Sequence, residues 1–301
     1  MVGIATSKEY WLKRTKEIVA KSETNEDAVV KEIGEIYQHA TKQLVKDLQA
    51  FYGKYATKTG LTIQQAKKKI SKADVSSFNK DIKKFIEKGD SITDKEIEQW
   101  RLLRAKFNVT RLDLLMNEME TNLIDIYGDV QITMDEHLKK VANETYYQTA
   151  GMVGSYARLP SGEIEQIVNF PWSGAMFSDL LWGHKDQLVK SLRKTVTTGL
   201  IRGDGVQDMA RALRDEMGSS TFAAKRLIQT ETNHVMNEST AKSYIDNGLK
   251  SYEYNANLDE RTTKECRGLD GKVFKLSERQ VGKNFPPAHV FCRSYVTPVV
   301  D

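Results

Sequence analysis

The chain has 301 residues, with 45 basic and 41 acidic side chains and a formal net charge of +4; it is long enough for a sizeable core and two domains, and so small an excess does not by itself imply a nucleic-acid partner. No apolar run approaches the ~20 residues that span a bilayer. The first ten residues hold no apolar stretch of signal-peptide length, so a reducing compartment is expected, in which the two cysteines are free thiols or ligands more readily than a disulfide.

The first proline is Pro160, and so long a stretch without the strongest helix breaker predicts helices. A short helix carries Tyr10, Trp11 and Ile18. A second starts at Asn25, Glu26 and Asp27, carries Ile33, Ile36, Ala40, Leu44, Leu48 and Phe51 on one face, and stops at Gly60. Thr62 caps the next helix, and a basic helix with Ile82, Phe85 and Ile86 follows it. The pattern resumes at Thr93 through Ile97, Trp100, Leu103, Leu115, Met119 and Ile126, with Gly128 as its end. A further helix runs from about Met134 to Met152.

Pro160, Gly162, Pro171 and Gly174 mark a loop-rich crossing. Helices are then expected at Trp172–Trp182, Lys185–Leu200 and Val206–Met217. Gly218–Thr221 reads as a turn, with Thr221 capping a last helix that ends at Gly248. Short runs rich in aromatic and β-branched residues predict strands at Ser251–Asn255, Lys272–Leu276 and Arg293–Val299. The expected fold is mainly α: an elongated helical domain over residues 1–155, then a smaller α+β domain with a short sheet over residues 156–301.

Three groups of residues can carry chemistry. Cys266, His289 and Cys292 are donors that zinc accepts, and the His-x-x-Cys spacing lets two of them face one ion from a turn. They number three where a closed site has four, so Asp259 or His234 would have to complete the set. Buried thiols with His289 bonded to a carbonyl, or a Cys266–Cys292 disulfide, are the alternatives. The positive excess lies wholly in residues 51–100, with 11 basic and 7 acidic side chains. There Lys67, Lys68, Lys69 and Lys72 cluster on one helix, and Lys80, Lys83, Lys84 and Lys88 recur on the next. Such density attracts phosphates without reading bases; a solvated helix face is the plainer reading. Glu231, His234, Asp259 and Arg261 suggest acid–base work, but no Gly-rich phosphate loop, nucleophile elbow or His-Glu-x-x-His accompanies them. An ion pair of Glu231 with Arg261 or Arg226 is expected instead.

Several of these residues fall in a recognisable order. Trp172, Gly174, Phe177 and Trp182 precede Arg226, Thr230 and Glu231. Asp259, Arg261 and Thr262 precede Cys266. Leu269, Asp270 and Gly271 then lead to Pro286, Pro287, His289, Cys292 and Arg293. This arrangement resembles the phage minor head proteins, also described as Mu F-like head morphogenesis proteins, and Tyr10, Trp11 and Arg14 resemble their start. The family often ends Cys-Arg-Cys, where this chain has Cys292, Arg293 and Ser294. The resemblance implies a non-enzymatic minor capsid protein of a tailed-phage head. It would be made in the host cytoplasm and built into the virion, and would bind the portal vertex during assembly. Scaffold or capsid protein and double-stranded DNA are further implied partners. A metal-dependent nuclease or effector delivered with the DNA, and a generic DNA-binding module, are the competing readings.

Overall fold

The computed structural model describes residues 7–57, 60–69, 92–105 and 110–300. Among them the fold is mainly α with one small sheet, as the periodicity predicts. The helices are α1 (Lys8–Tyr55), α2 (Ile63–Ala66), α3 (Asp94–Ala105), α4 (Arg111–Met152), α5 (Ser161–Val168), α6 (Phe177–Arg202), α7 (Val206–Asp246) and α8 (Lys264–Leu269). The strands are β1 (Ser251–Asn255), β2 (Val273–Lys275) and β3 (Tyr295–Val299), antiparallel in the order β2-β1-β3. Pro298 lies opposite Tyr252 on β3, an edge strand, where a residue without an N–H is tolerated. No helix is long and apolar enough to cross a membrane among the described residues.

The chain packs as two compact units, each built from separate stretches. One comprises Met1–Lys31, Thr133–Phe177 and Lys225–Asp301; the other comprises Glu32–Ile132 and Ser178–Ala224. This grouping by compactness differs from a single sequential division near residue 155, because α1, α4, α6 and α7 give residues to both units.

In the second unit the core is a set of apolar helix faces. Ile33, Tyr37, Ala40, Leu44 and Leu48 of α1 are buried, as are Leu115, Met119 and Leu123 of α4, Leu181, Leu188 and Leu192 of α6, and Met209, Leu213 and Met217 of α7. Each buried Leu, Ile or Met side chain contributes about 1.5–3 kcal/mol by leaving water. Several polar groups inside it are matched. The Tyr127 and Ser220 hydroxyls lie 2.6 Å apart. Lys185, wholly buried, donates to Gln99 at 2.7 Å and reaches Asp186 at 3.0 Å and Glu120 at 3.4 Å.

In the first unit Trp11, Ile18 and Met152 form one cluster. Ala241 and Tyr244 of α7 form another with Tyr252 of β1, Val296 of β3, Leu276 and Phe285. The sheet therefore closes onto the last turns of α7.

Four expected breaks are absent. At Asn25, α1 continues because Trp11, Thr15, Ile18 and Ser22 run in phase with the stripe from Ile33. Glu26, between them, accepts from Gln229 at 2.7 Å. Gly128 lies inside α4 as a point of close approach, where a Cβ would stand 2.2 Å from Glu96 Oε2. The Trp172–Trp182 and Lys185–Leu200 helices are one helix, α6, which begins at Phe177 and leaves Trp172 in the preceding loop. At Gly218–Thr221, α7 is unbroken because Ser219 and Thr221 donate back to the carbonyls of Asp215 and Met217, so their hydroxyls are satisfied within the helix. The expected ends at Met152 and Gly248 do occur. After Met152 the chain turns at Gly154 (φ 79°), where Ser155 N–H donates to Ala150 C=O and Gly154 N–H to Gly151 C=O, the Schellman pattern that glycine favours.

Candidate metal centre

Three short pieces of chain converge beside β1. Cys266 is in the first turn of α8, whose N-cap Thr263 accepts the Cys266 N–H through its hydroxyl. The helix ends at Leu269, with Asp270 as its C-cap. Gly271 (φ 73°) then turns the chain so that its N–H donates to Tyr254 C=O at 2.8 Å, while Asp270 accepts from Ala256 N–H. His289 and Cys292 come from one tight turn, closed by Cys292 N–H donating to His289 C=O at 3.2 Å. Its third residue, Phe291, sits at φ 57°, a conformation that L side chains adopt at a cost.

The ligand atoms of Cys266, His289 and Cys292 all lie within 4.8 Å of one another. Cys266 Sγ is 3.1 Å from His289 Nε2 and 3.8 Å from Cys292 Sγ. That sulfur separation is nearly twice the ~2.05 Å of a disulfide, and both thiols are free. His289 Nδ1 lies 2.7 Å from Val290 C=O, which can only accept. In the neutral ring Nδ1 therefore carries the proton, and the Nε2 lone pair faces the sulfurs.

Both cysteines are buried, with Tyr254, Ala256, Leu269, Phe274 and Ala288 around them. The two thiols shift in opposite directions. The hydrogen bond from Cys292 draws the Cys266 thiol below its ordinary range against the opposing effect of burial, with help from the Ser294, Tyr254 and Thr263 side chains. The same bond, with burial, drives Cys292 up.

Helix α7 fixes this loop through its polar face. Thr230 Oγ1 accepts the Phe291 N–H at 3.1 Å and donates to its own helix at Arg226 C=O. Asn233 and Asn237 both donate to Ser294 C=O, at 3.0 and 3.2 Å. Glu231 points elsewhere in the same unit. Both its oxygens accept from Trp172 Nε1, at 3.2 and 3.1 Å, and burial pushes its carboxyl up to about 7, opposed by that hydrogen bond. His234 is wholly buried and stacks on Trp172 at 5.4 Å and on Phe170 at 6.2 Å. Burial lowers its pKa to about 3, so the ring is neutral, and neither nitrogen has a hydrogen-bond partner among the described residues.

Two expectations are corrected by these contacts. Glu231 forms no ion pair with Arg261 or Arg226, because it is bonded to an indole. Arg261 lies 3.7 Å from Asp259 on the surface and Arg226 is exposed. Neither Asp259 nor His234 completes the ligand set. Asp259 is bound to the Arg293 guanidinium, which holds its carboxyl down to about 2, and it also accepts the Arg261 N–H. Trp182, grouped with Trp172 by motif, lies in the other unit, where its Nε1 donates to Gln131 at 2.7 Å.

Of the basic block, Lys67, Lys68 and Lys69 are exposed after α2 rather than on a helix, because α2, started by the Thr62–Gln65 capping box, is a single turn that ends at Ala66. Lys72, Lys80, Lys83, Lys84 and Lys88 lie outside the described residues. The contributions of Tyr254, Ser294 and Asn237 to the site had no signal in spacing; only the proximity of Ser294 to Cys292 pointed there.

Residues 190–297 match the family described as Phage Mu protein F like protein. The chain is 25% identical over 262 residues to the Minor head protein GP7 of Bacillus phage SPP1, covering 79% of this chain and 83% of that protein. It is 25% identical over 186 residues to an NAD(+)--arginine ADP-ribosyltransferase EFV of Enterococcus faecalis, covering 58% of this chain and 38% of that protein. It is 24% identical over 163 residues to an uncharacterized protein of Haemophilus influenzae, covering 54% and 36%. The chain thus spans little more than a third of the length of two of these relatives. No solved structure matches it. The likeness to phage minor head and Mu F-like proteins, read first from the motifs, is borne out.

Proposed function

We propose that this chain is a minor head protein of a tailed phage, acting in head morphogenesis as a virion component rather than as an enzyme. One observation carries the reading: similarity to a minor head protein extends over 79% of this chain and 83% of that relative. The Mu F-like match at residues 190–297 supports it and falls within the C-terminal module expected at residues 156–301. The transferase name describes a protein of which this chain spans 38%. Neither a nuclease nor a delivered effector gains support from these relatives.

In finer terms, the protein is made in the host cytoplasm and joins the portal vertex during assembly, with scaffold or capsid protein as neighbours. The exposed Lys67, Lys68 and Lys69 offer the phosphate backbone of packaged DNA a cluster of positive charge. Quantitative peptide mass spectrometry of procapsids and finished particles, with the portal as internal standard, tests the assignment. A few copies per portal ring in either particle are expected. Absence from both overturns the reading.

A further inference from the structure

We propose that Cys266, His289 and Cys292 hold one zinc ion that ties the first turn of α8 to the 289–292 turn, with water in the fourth coordination position. This goes beyond the head-assembly reading and does not depend on it. Zinc at ~2.3 Å from each sulfur with tetrahedral angles places two thiolates about 3.8 Å apart, the separation found between Cys266 and Cys292. His289 Nε2, 3.1 Å from Cys266 Sγ, needs to withdraw by a few tenths of an ångström to reach the ~3.5 Å expected of a nitrogen and a sulfur on the same ion.

Three further features suit an ion. Val290 C=O accepts from His289 Nδ1 and turns the other nitrogen toward the sulfurs, the outer contact that ligating histidines use. Two thiolates and an imidazole select zinc over the oxygen-loving divalent ions. Thr230 on α7 holds the Phe291 N–H, which keeps His289 and Cys292 on one side of a turn whose third residue is in the left-handed region. An ion at this point closes loops of more than twenty residues in a region whose strands are three to five residues long, and its binding energy therefore adds to folding. With three protein donors the affinity is lower than that of a closed four-ligand site.

The test uses the full chain, stripped by a chelator and titrated with zinc alone, and in parallel with cobalt(II). The expected result is one equivalent bound. A tetrahedral cobalt spectrum with sulfur-to-metal charge transfer, a raised melting temperature and protection of both thiols from a thiol reagent should accompany it. His289→Ala and Cys292→Ser should each weaken binding by more than the ~10–100-fold that loss of an outer contact costs. Should either variant fail to fold, thiol protection in the unaltered chain still decides. Binding that leaves both thiols reactive, or no stoichiometric uptake by the folded chain, overturns the proposal.

Discussion

The helical unit of residues 32–132 and 178–224 and the sheet region of residues 251–299 are stabilised in opposite ways. The first buries continuous apolar faces of long helices, with Leu44, Leu115, Leu192 and Leu213 among residues that have no access to solvent. Its polar interior contacts fill places that packing has already set. The second has strands of at most five residues. Its geometry depends on particular hydrogen bonds: Thr230 to Phe291, Asn233 and Asn237 to Ser294, and Gly271 to Tyr254. Where secondary structure is long, volume decides stability; where it is short, individual polar atoms decide position.

The largest expected effect tests the first half of that contrast. Leu192→Ala should cost about 2–5 kcal/mol in chemical denaturation, because the rigid helices around it do not collapse into the cavity. A cost under ~1 kcal/mol would show that this core is not close-packed.

Next comes a pH effect in the unit that contains the sheet. Glu231 has a folded pKa of about 7 against 4.5 when unfolded. The folded state therefore holds a proton that the unfolded chain has lost. Stability is fully present below pH ~4.5 and falls as pH rises toward 7, by about 3 kcal/mol if this group acted alone. Glu26, raised to about 7 mainly by burial, adds to the same slope. Glu231→Gln keeps an acceptor for Trp172 and should flatten the melting-temperature profile between pH 4.5 and 7. An unchanged profile would remove Glu231 from the buried acids.

A smaller cost, about 1–3 kcal/mol, is expected for Thr230→Val, which keeps the side-chain shape and strands the Phe291 N–H. The smallest effect on stability, within ~0.5 kcal/mol, is expected for glutamate at Lys67, Lys68 and Lys69, which are exposed. The same change should weaken binding to duplex DNA at low salt, and unchanged DNA affinity would take these lysines out of the proposed role.

The same contrast explains what was legible in the sequence. The stripe from Ile33 to Leu48, the helix cap at Thr62 and the three strand segments are readable because each rests on local period or local chemistry. Asn25, Gly128 and Gly218 lie within continuous helices because these residues permit a break without requiring one. Gly128 is set by the approach of Glu96, a contact that no local pattern records. The His-x-x-Cys spacing brought His289 and Cys292 together correctly, and Cys266 joins them from 23 and 26 residues away. Glu231 was misassigned because charge complementarity suggested arginine, whereas a loop indole 59 residues earlier is its partner.

Amide hydrogen exchange on the unaltered chain and on Asn237→Ala and Thr230→Val tests the claim that polar contacts from α7 fix the 289–294 loop. The expected result is faster exchange confined to Phe291 and its neighbours, with the amides of residues 32–55 unchanged. Exchange at Phe291 that both substitutions leave as slow as before would contradict it.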